Sequence, residues 1–202
     1  MSRLLVICFV LVLAIPADSA PRLKDERTGP YYPAKVRDRW VMEIRNPDST
    51  VEITEVVTAV ETKDGATIVS IGREVAGNVG PEVSQMRISE KGLFRMSQLG
   101  TVFIEPYCVL QFPLKPGATW TAEANRGGTT PLKLQYKMAK EEDVEVPAGK
   151  FKAFRIDVEY ESSGAARRSS LWYAPAVGVV KDEHAGKDGG YARVMKSFTP
   201  GK

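Results

Sequence analysis

The sequence has only two cysteines and one histidine among 202 residues, and this shortage limits its chemistry. A structural zinc site takes four Cys or His ligands, which Cys8, Cys108 and His184 cannot supply. Internal disulfides are also excluded if Cys8 is removed with the N-terminal segment, as argued below. Cys108 lies among apolar residues and is expected to be a buried small hydrophobe.

An excess of charge of one sign is lacking as well, since 28 basic residues are balanced against 25 acidic ones. The basic clusters at 37–39 and 167–168 are too short to follow a phosphate backbone, so we expect no nucleic-acid partner. Glycine-rich phosphate loops and Asp-rich calcium loops are missing too. We therefore predict no cofactor and no metal.

Only one long apolar run is present, and it lies at the N-terminus. Arg3 precedes the run Leu4–Ile15, and Pro16 and several small residues follow it, which is typical of a secretory signal peptide. The run is shorter than the roughly 20 residues that a membrane span needs. We expect residues 1–20 to be a signal peptide, with an uncleaved anchor as the alternative, and residues 21–30 to be a loose leader. The mature chain would be exported, periplasmic or extracellular, without a transmembrane segment.

The remaining sequence alternates apolar and polar residues in the period of two that is typical of β-strands. This pattern is clearest in Leu132–Met138 and in Phe154–Tyr160. Turn sequences such as Lys63-Asp64-Gly65 separate the strands at short intervals. Residues 31–200 are therefore predicted to form one all-β domain. Its strongly curved antiparallel sheet would form an open barrel or half-barrel.

The segment Val51–Glu61 does not follow simple alternation, because both of its faces are half apolar. Two explanations stay open. The strand is either covered on both sides, or a β-bulge near Glu55 switches its faces.

An internal repeat is the clearest sign of organisation. The segment Tyr32–Glu43 aligns with Phe112–Glu123 at an offset of 80 residues, with the aromatic, Pro, Lys, Trp and Glu positions shared. Two related β halves, 31–111 and 112–200, are predicted from it. Coincidence is the alternative, because strands of β proteins often begin with Trp.

Catalytic signatures are weak. The single His184 would have to serve as the base of a hydrolase triad, and it is expected on an exposed loop before a glycine-rich turn. The acidic cluster Glu141–Asp143 is predicted to be a solvated strand face. The chain is therefore not expected to be an enzyme, although distant carboxylates could converge as in a glycosidase.

Aromatic residues are the other candidates for a functional role. They are too scattered to form a recognised binding ladder, but a curved sheet can enclose an apolar ligand. The candidate residues for the lining of a cavity or core are Trp40, Trp120, Phe154, Ile156, Tyr160 and Trp172.

Three stretches together resemble a known family: Tyr32–Trp40, Val146–Ile156 and Leu171–Lys181. In this order they are similar to the exported bacterial β proteins grouped as TapB-like, which are related to a widespread secreted domain family of unknown function. The resemblance implies an exported curved β-sheet and supplies no catalytic residues. Such sheets are also similar to the half-barrels of periplasmic lipoprotein carriers, a fold analogy that suggests lipid binding.

Two functions follow as hypotheses. The first is a non-catalytic envelope protein that binds an apolar small molecule or a lipid inside the curved sheet. The alternative is a structural domain that contacts an envelope protein through an exposed sheet face or edge.

Overall fold

The computed structural model describes residues 31–128, 131–162, 164–185 and 189–202. The signal peptide and leader that the sequence predicts, residues 1–20 and 21–30, lie outside this part. Within the described ranges the chain forms twelve strands and no helix, and hence no helix that could span a membrane. The strands are β1 (Arg39–Asn46), β2 (Ser49–Lys63), β3 (Ala66–Val75), β4 (Asn78–Ser89), β5 (Gly92–Gln98), β6 (Thr101–Gln111), β7 (Thr119–Ala124), β8 (Leu132–Val146), β9 (Gly149–Ser162), β10 (Ala165–Ala174), β11 (Gly178–Ala185) and β12 (Tyr191–Thr199).

The strands form one antiparallel sheet that curls into a nearly closed barrel. Each strand pairs with the next along β1–β6 and along β7–β12, and β1 pairs with β12, so that Arg39 lies opposite Thr199. The edge strands β6 and β7 leave one seam, bridged by the Ile104 N–H donating to the Asn125 carbonyl at 2.9 Å. The predicted all-β class and open-barrel architecture are confirmed.

Strand β2 resolves the ambiguity of the Val51–Glu61 segment. Its pairing with β3 shifts register between Val57 and Ala59, so a bulge is present, three residues beyond the predicted position at Glu55. Val56 and Val57 are consecutive and both buried, which regular alternation does not allow.

One end of the barrel is closed by aromatic side chains, which we call the floor: Tyr31, Phe112 and Phe154. Tyr31 is only 2% exposed, and its ring centroid lies 6.1 Å from that of Phe154 and 6.3 Å from that of Phe112. Ile156, one alternation further along β9, is fully buried. The barrel is therefore packed solid at this end.

Buried Asp38 fastens the segment that carries Tyr31. Its carboxylate accepts the backbone N–H groups of Lys35 at 2.9 Å and of Gly201 at 2.7 Å. Its carbonyl accepts the Val57 N–H at 2.8 Å. The two ends of the described chain are thus joined at the floor.

The hairpin β8–β9 leaves the barrel wall towards its tip. Pairing between these strands shifts between Met138 and Glu141, and the Ala148 N–H donates to the Met195 carbonyl of β12 at 3.0 Å. Since β9, β10 and β11 separate β8 from β12 in the sheet, the tip lies across these strands.

The two motif copies lead into β1 and β7, the first strands of two runs of six. The Trp40 indole donates to the Val177 carbonyl at 2.9 Å, and the Trp120 indole donates to the Cys108 carbonyl at 3.2 Å. Each tryptophan therefore donates a hydrogen bond to a residue of the other run of six strands. The duplication itself stays a prediction.

Candidate ligand-binding cavity

Between the floor and the opposite end, the barrel encloses a cavity of about 690 Å³. It extends from Tyr32 and Trp40 beside the floor to Asn46, Leu99 and Arg126, which stand next to turns at the other end. We call that end the mouth. The volume lies within the roughly 300–1,000 Å³ typical of small-molecule sites.

The cavity wall combines apolar surface with buried charge. Its apolar members come from both runs of strands, and they include Met42, Ile53, Ile71, Met86, Leu134, Val158 and Leu171. Four arginines and two carboxylates share this wall: Arg73, Arg95, Arg126, Arg193, Glu55 and Asp182. An apolar wall with a few charged groups suits an amphiphile better than a pure hydrocarbon.

Three of these arginines have partners. Nη2 of Arg73 lies 3.8 Å from Oε1 of Glu55, and Nε of Arg193 lies 3.8 Å from Oδ2 of Asp182. Burial raises the pKa of Asp182, and Arg193 opposes this shift only in part. Arg126 at the mouth stands over the Phe103 ring, 5.4 Å from its centroid.

Arg95 is different, because it forms no ion pair in the described part of the chain and interacts with Asp182 only over a longer distance. It lies midway along β5, is half-buried, and lines the cavity. Its Nε is buried without a hydrogen-bond partner. Within the described ranges no carboxylate oxygen comes within 4.0 Å of its guanidinium. A guanidinium stays protonated, so this charge is permanent.

Four of the tyrosines that line the same cavity as Arg95 interact with it. Tyr107 is its cross-strand partner on β6, and Tyr32, Tyr136 and Tyr173 interact with it electrostatically from other elements. Burial raises the pKa of Tyr173 to about 12 and raises those of Tyr32 and Tyr136 further. All three phenols are therefore neutral near pH 7 and can donate hydrogen bonds.

His184 does not lie on an exposed loop, so that prediction is wrong. It is part of β11 and half-buried, because the strand runs to Ala185 and its alternation directs the His184 side chain to the cavity. Its Nδ1 lies 2.8 Å from Ser169 Oγ, and its ring stacks on Tyr191 with centroids 5.2 Å apart. This cluster lines the mouth.

Five of the six predicted lining residues lie in three different places. Trp40 and Tyr160 line the cavity, at its floor and mouth ends respectively. Phe154 and Ile156 belong to the solid packing at the floor. Trp120 is half-buried on β7, where it stacks on Tyr136 with centroids 5.1 Å apart.

Trp172 lies in none of these places. Its neighbours Leu171 and Tyr173 line the cavity, so its side chain points to the other face of β10. There its indole donates to Glu142 Oε1 at 2.6 Å, and Lys181 Nζ stands 4.6 Å from the ring centroid. Glu142 is accordingly half-buried, and the prediction of a purely solvated acidic face is wrong at this residue.

Comparison with known proteins relates the chain to an uncharacterised domain. Residues 132–193 match the sequence model of the DUF3108-like family. This range runs from β8 into β12 and contains two of the three motifs on which the resemblance rests. No curated protein gives a sequence match.

Solved structures show the same fold at low sequence identity. A predicted exported protein of Bacteroides fragilis with a YmcC-like fold aligns with a TM-score of 0.57 and 14% identity, over 85% of this chain and 99% of that one. A predicted lipoprotein of Parabacteroides distasonis aligns over the same shares, with a TM-score of 0.53 and 14% identity. These similarities establish the fold.

The thiol of Cys108 is expected to be unreactive. Burial raises its pKa to about 11, so only about 0.1% is thiolate at pH 8, against about a quarter for an ordinary cysteine. In a chain carrying Cys8→Ser, we expect iodoacetamide to label Cys108 at least about 100-fold more slowly in buffer than in urea. Equal rates in the two solvents would contradict this environment.

Proposed function

We propose that this chain is an exported, non-catalytic envelope protein that holds an apolar or lipid-like ligand inside its barrel. The observation that carries this proposal is the cavity of about 690 Å³ above a solid floor. A barrel used only as a scaffold would be more stable with its interior filled, because interior voids forfeit packing contacts. Retaining the space is consistent with an occupant.

Export is supported by the N-terminal pattern around Leu4–Ile15 and by the solved proteins of the same fold, one described as exported and the other as a lipoprotein. The same proposal places the chain among the TapB-like proteins, on its three motifs. Periplasm and extracellular medium are both consistent with these observations.

The absence of catalysis is supported by the position of the Ser169–His184 pair. Ser169 lies within β10, opposite Val158 on one side and His184 on the other. Its surrounding backbone amides are committed to the two ladders, whereas a hydrolase needs free N–H groups to stabilise an oxyanion. The pair therefore serves better as a polar contact at the mouth.

Native mass spectrometry of protein purified from its own envelope, followed by lipid extraction, tests the proposal. We expect a co-purifying small molecule at a stoichiometry of about one per chain, because the cavity has the volume of a single small-molecule site. Protein that is free of any ligand, and takes up no amphiphile when one is added, would contradict the proposal.

A cavity-filling variant provides the matched control. Leu171→Trp adds a large side chain to the cavity wall, whereas Lys133→Trp adds the same side chain to an exposed position on β8. Only Leu171→Trp should reduce the bound ligand. Thermal melting of both variants separates this effect from the overpacking cost of about 1–3 kcal/mol.

An interaction domain is the second candidate function, and the β6 edge favours it. Val102 and Ile104 on this edge strand are 71% and 65% exposed, close to Leu99 at the mouth. Exposed apolar residues on an edge strand suit a protein partner. A stoichiometric envelope protein in the native spectrum, with no small molecule, would favour this candidate.

A further inference from the structure

We propose that the ligand is an anionic amphiphile whose carboxylate or phosphate group binds Arg95 in the depth of the cavity. This inference rests on the proposed function and names the chemical class of its ligand. The hydrocarbon part would pack against the apolar wall.

The cavity carries an excess of positive charge. Four arginines face two carboxylates in the cavity, which leaves an excess of two positive charges. Arg73 and Arg193 pair with the two carboxylates, so Arg95 carries the least compensated charge of the deep cavity, and Asp182 acts on it only from beyond 4 Å. A buried cation without a partner is costly, and an anionic ligand would remove that cost.

The hydrogen-bond donors of the cavity match an oxyanion. Arg95 presents a planar set of donors, which matches the two oxygens of a carboxylate or phosphate. The neutral hydroxyls of Tyr32, Tyr136 and Tyr173, which line the same cavity as Arg95, add further hydrogen-bond donors. A fixed cation with neutral donors nearby attracts an oxyanion. It repels a second cation.

The apolar wall of the cavity favours a ligand with a hydrocarbon part. Ile53, Met86 and Leu134 line the same cavity as Arg95. A free inorganic anion would leave this apolar surface in contact with water, whereas an alkyl chain would cover it. Head and tail together therefore use more of the cavity than either does alone.

Isothermal titration calorimetry at pH 8 on delipidated protein tests the inference with four probes: decanoate, decyl phosphate, decan-1-ol and inorganic phosphate. We expect at least one of the two anionic amphiphiles to bind about 10-fold or more tightly than decanol, the range expected of a charge-assisted hydrogen bond. Inorganic phosphate should bind at least about 10-fold more weakly than that amphiphile.

Three variants assign the effect to Arg95. Arg95→Gln should lose about 10-fold or more in affinity for the anionic amphiphile and keep its affinity for decanol. Arg95→Lys keeps the charge but not the planar donor set, so it should retain part of the preference and serves if the Gln variant does not fold. Arg168→Gln removes an exposed arginine of β10 that does not line this cavity, and it should keep the preference.

The outcomes separate this inference from the proposed function. Equal binding of decanol and both anions, in the parent and in Arg95→Gln, would overturn the inference and leave a general apolar carrier. Inorganic phosphate binding as tightly as the amphiphiles would reduce the site to a plain anion site and also overturn it. If no alkyl probe binds, both proposals fail.

Discussion

Replacing Trp172 with Ala is expected to lower the free energy of unfolding by about 3–5 kcal/mol, the usual loss when a buried Trp is truncated. The side chain is 6% exposed although it faces away from the cavity. It is covered by Lys181 above its ring and by Glu142 from the β8–β9 hairpin. Truncation would remove the packing and leave the half-buried Glu142 carboxylate without its donor.

Urea unfolding followed by circular dichroism measures this loss. Since natural domains are stable by about 5–15 kcal/mol, the variant would keep only part of its stability. Trp172→Phe retains a ring but not the N–H donor, so it should cost less than the Ala variant. Ligand binding by the Phe variant should be unchanged, because the residue lies outside the cavity. A loss below about 1 kcal/mol for the Ala variant would contradict its role as a buried anchor.

The sequence predicts local strand structure well where alternation is strict. In β8 and β9, Leu134, Tyr136 and Val158 were expected on one buried face, and they are buried. The β2 bulge was recognisable because apolar residues stood on both faces. Its exact position could not be read, since a bulge is fixed by the pairing register with β3 and not by β2 alone.

Closure of the barrel was less accessible to sequence reasoning. It depends on β1 pairing with β12, strands about 150 residues apart, as in the pair Trp40 and Phe198. Such a pairing follows from the curvature of the entire sheet, which no local pattern specifies. The repeat before β1 and β7 suggested two halves but not how they join.

The charged part of the cavity was missed altogether. Arg73 and Arg193 stand in strands where a charged residue is easily read as solvent-facing. Arg95 did carry a signal, because it is the only charge within the strand Leu93–Ser97, which has no clear alternation. A single charge in an otherwise apolar strand indicates a buried polar site. The aromatic residues, in contrast, were judged by size, which does not tell a cavity wall from the outer face covered by a hairpin.

Replacing Arg95 with Met should stabilise the ligand-free protein, by about 1–3 kcal/mol, even though it removes a large number of potential donors. In the parent, the buried Nε has no hydrogen-bond partner, and the guanidinium has no ion-pair partner within 4.0 Å in the described ranges. Met has a similar shape and fits an irregular interior without a desolvation cost. Water reaching the cavity lowers the cost of the charge, which is why the expected gain is modest.

Adding the anionic amphiphile that binds should reduce this advantage. A ligand at 100 times its dissociation constant stabilises the state that binds it by about 2.7 kcal/mol, and a variant that binds it about 10-fold more weakly keeps only about 1.4 kcal/mol of this gain. The measurement is urea unfolding of the parent and the variant, each with and without that ligand. Arg168→Met on β10, outside this cavity, is the control, because it should leave the stability nearly unchanged both with and without the ligand. If Arg95→Met is less stable than the parent without ligand, then Arg95 holds the fold together through its tyrosines. A more stable Arg95→Met whose advantage shrinks on addition of ligand would instead mean that Arg95 costs the fold stability, and that its charge serves recognition.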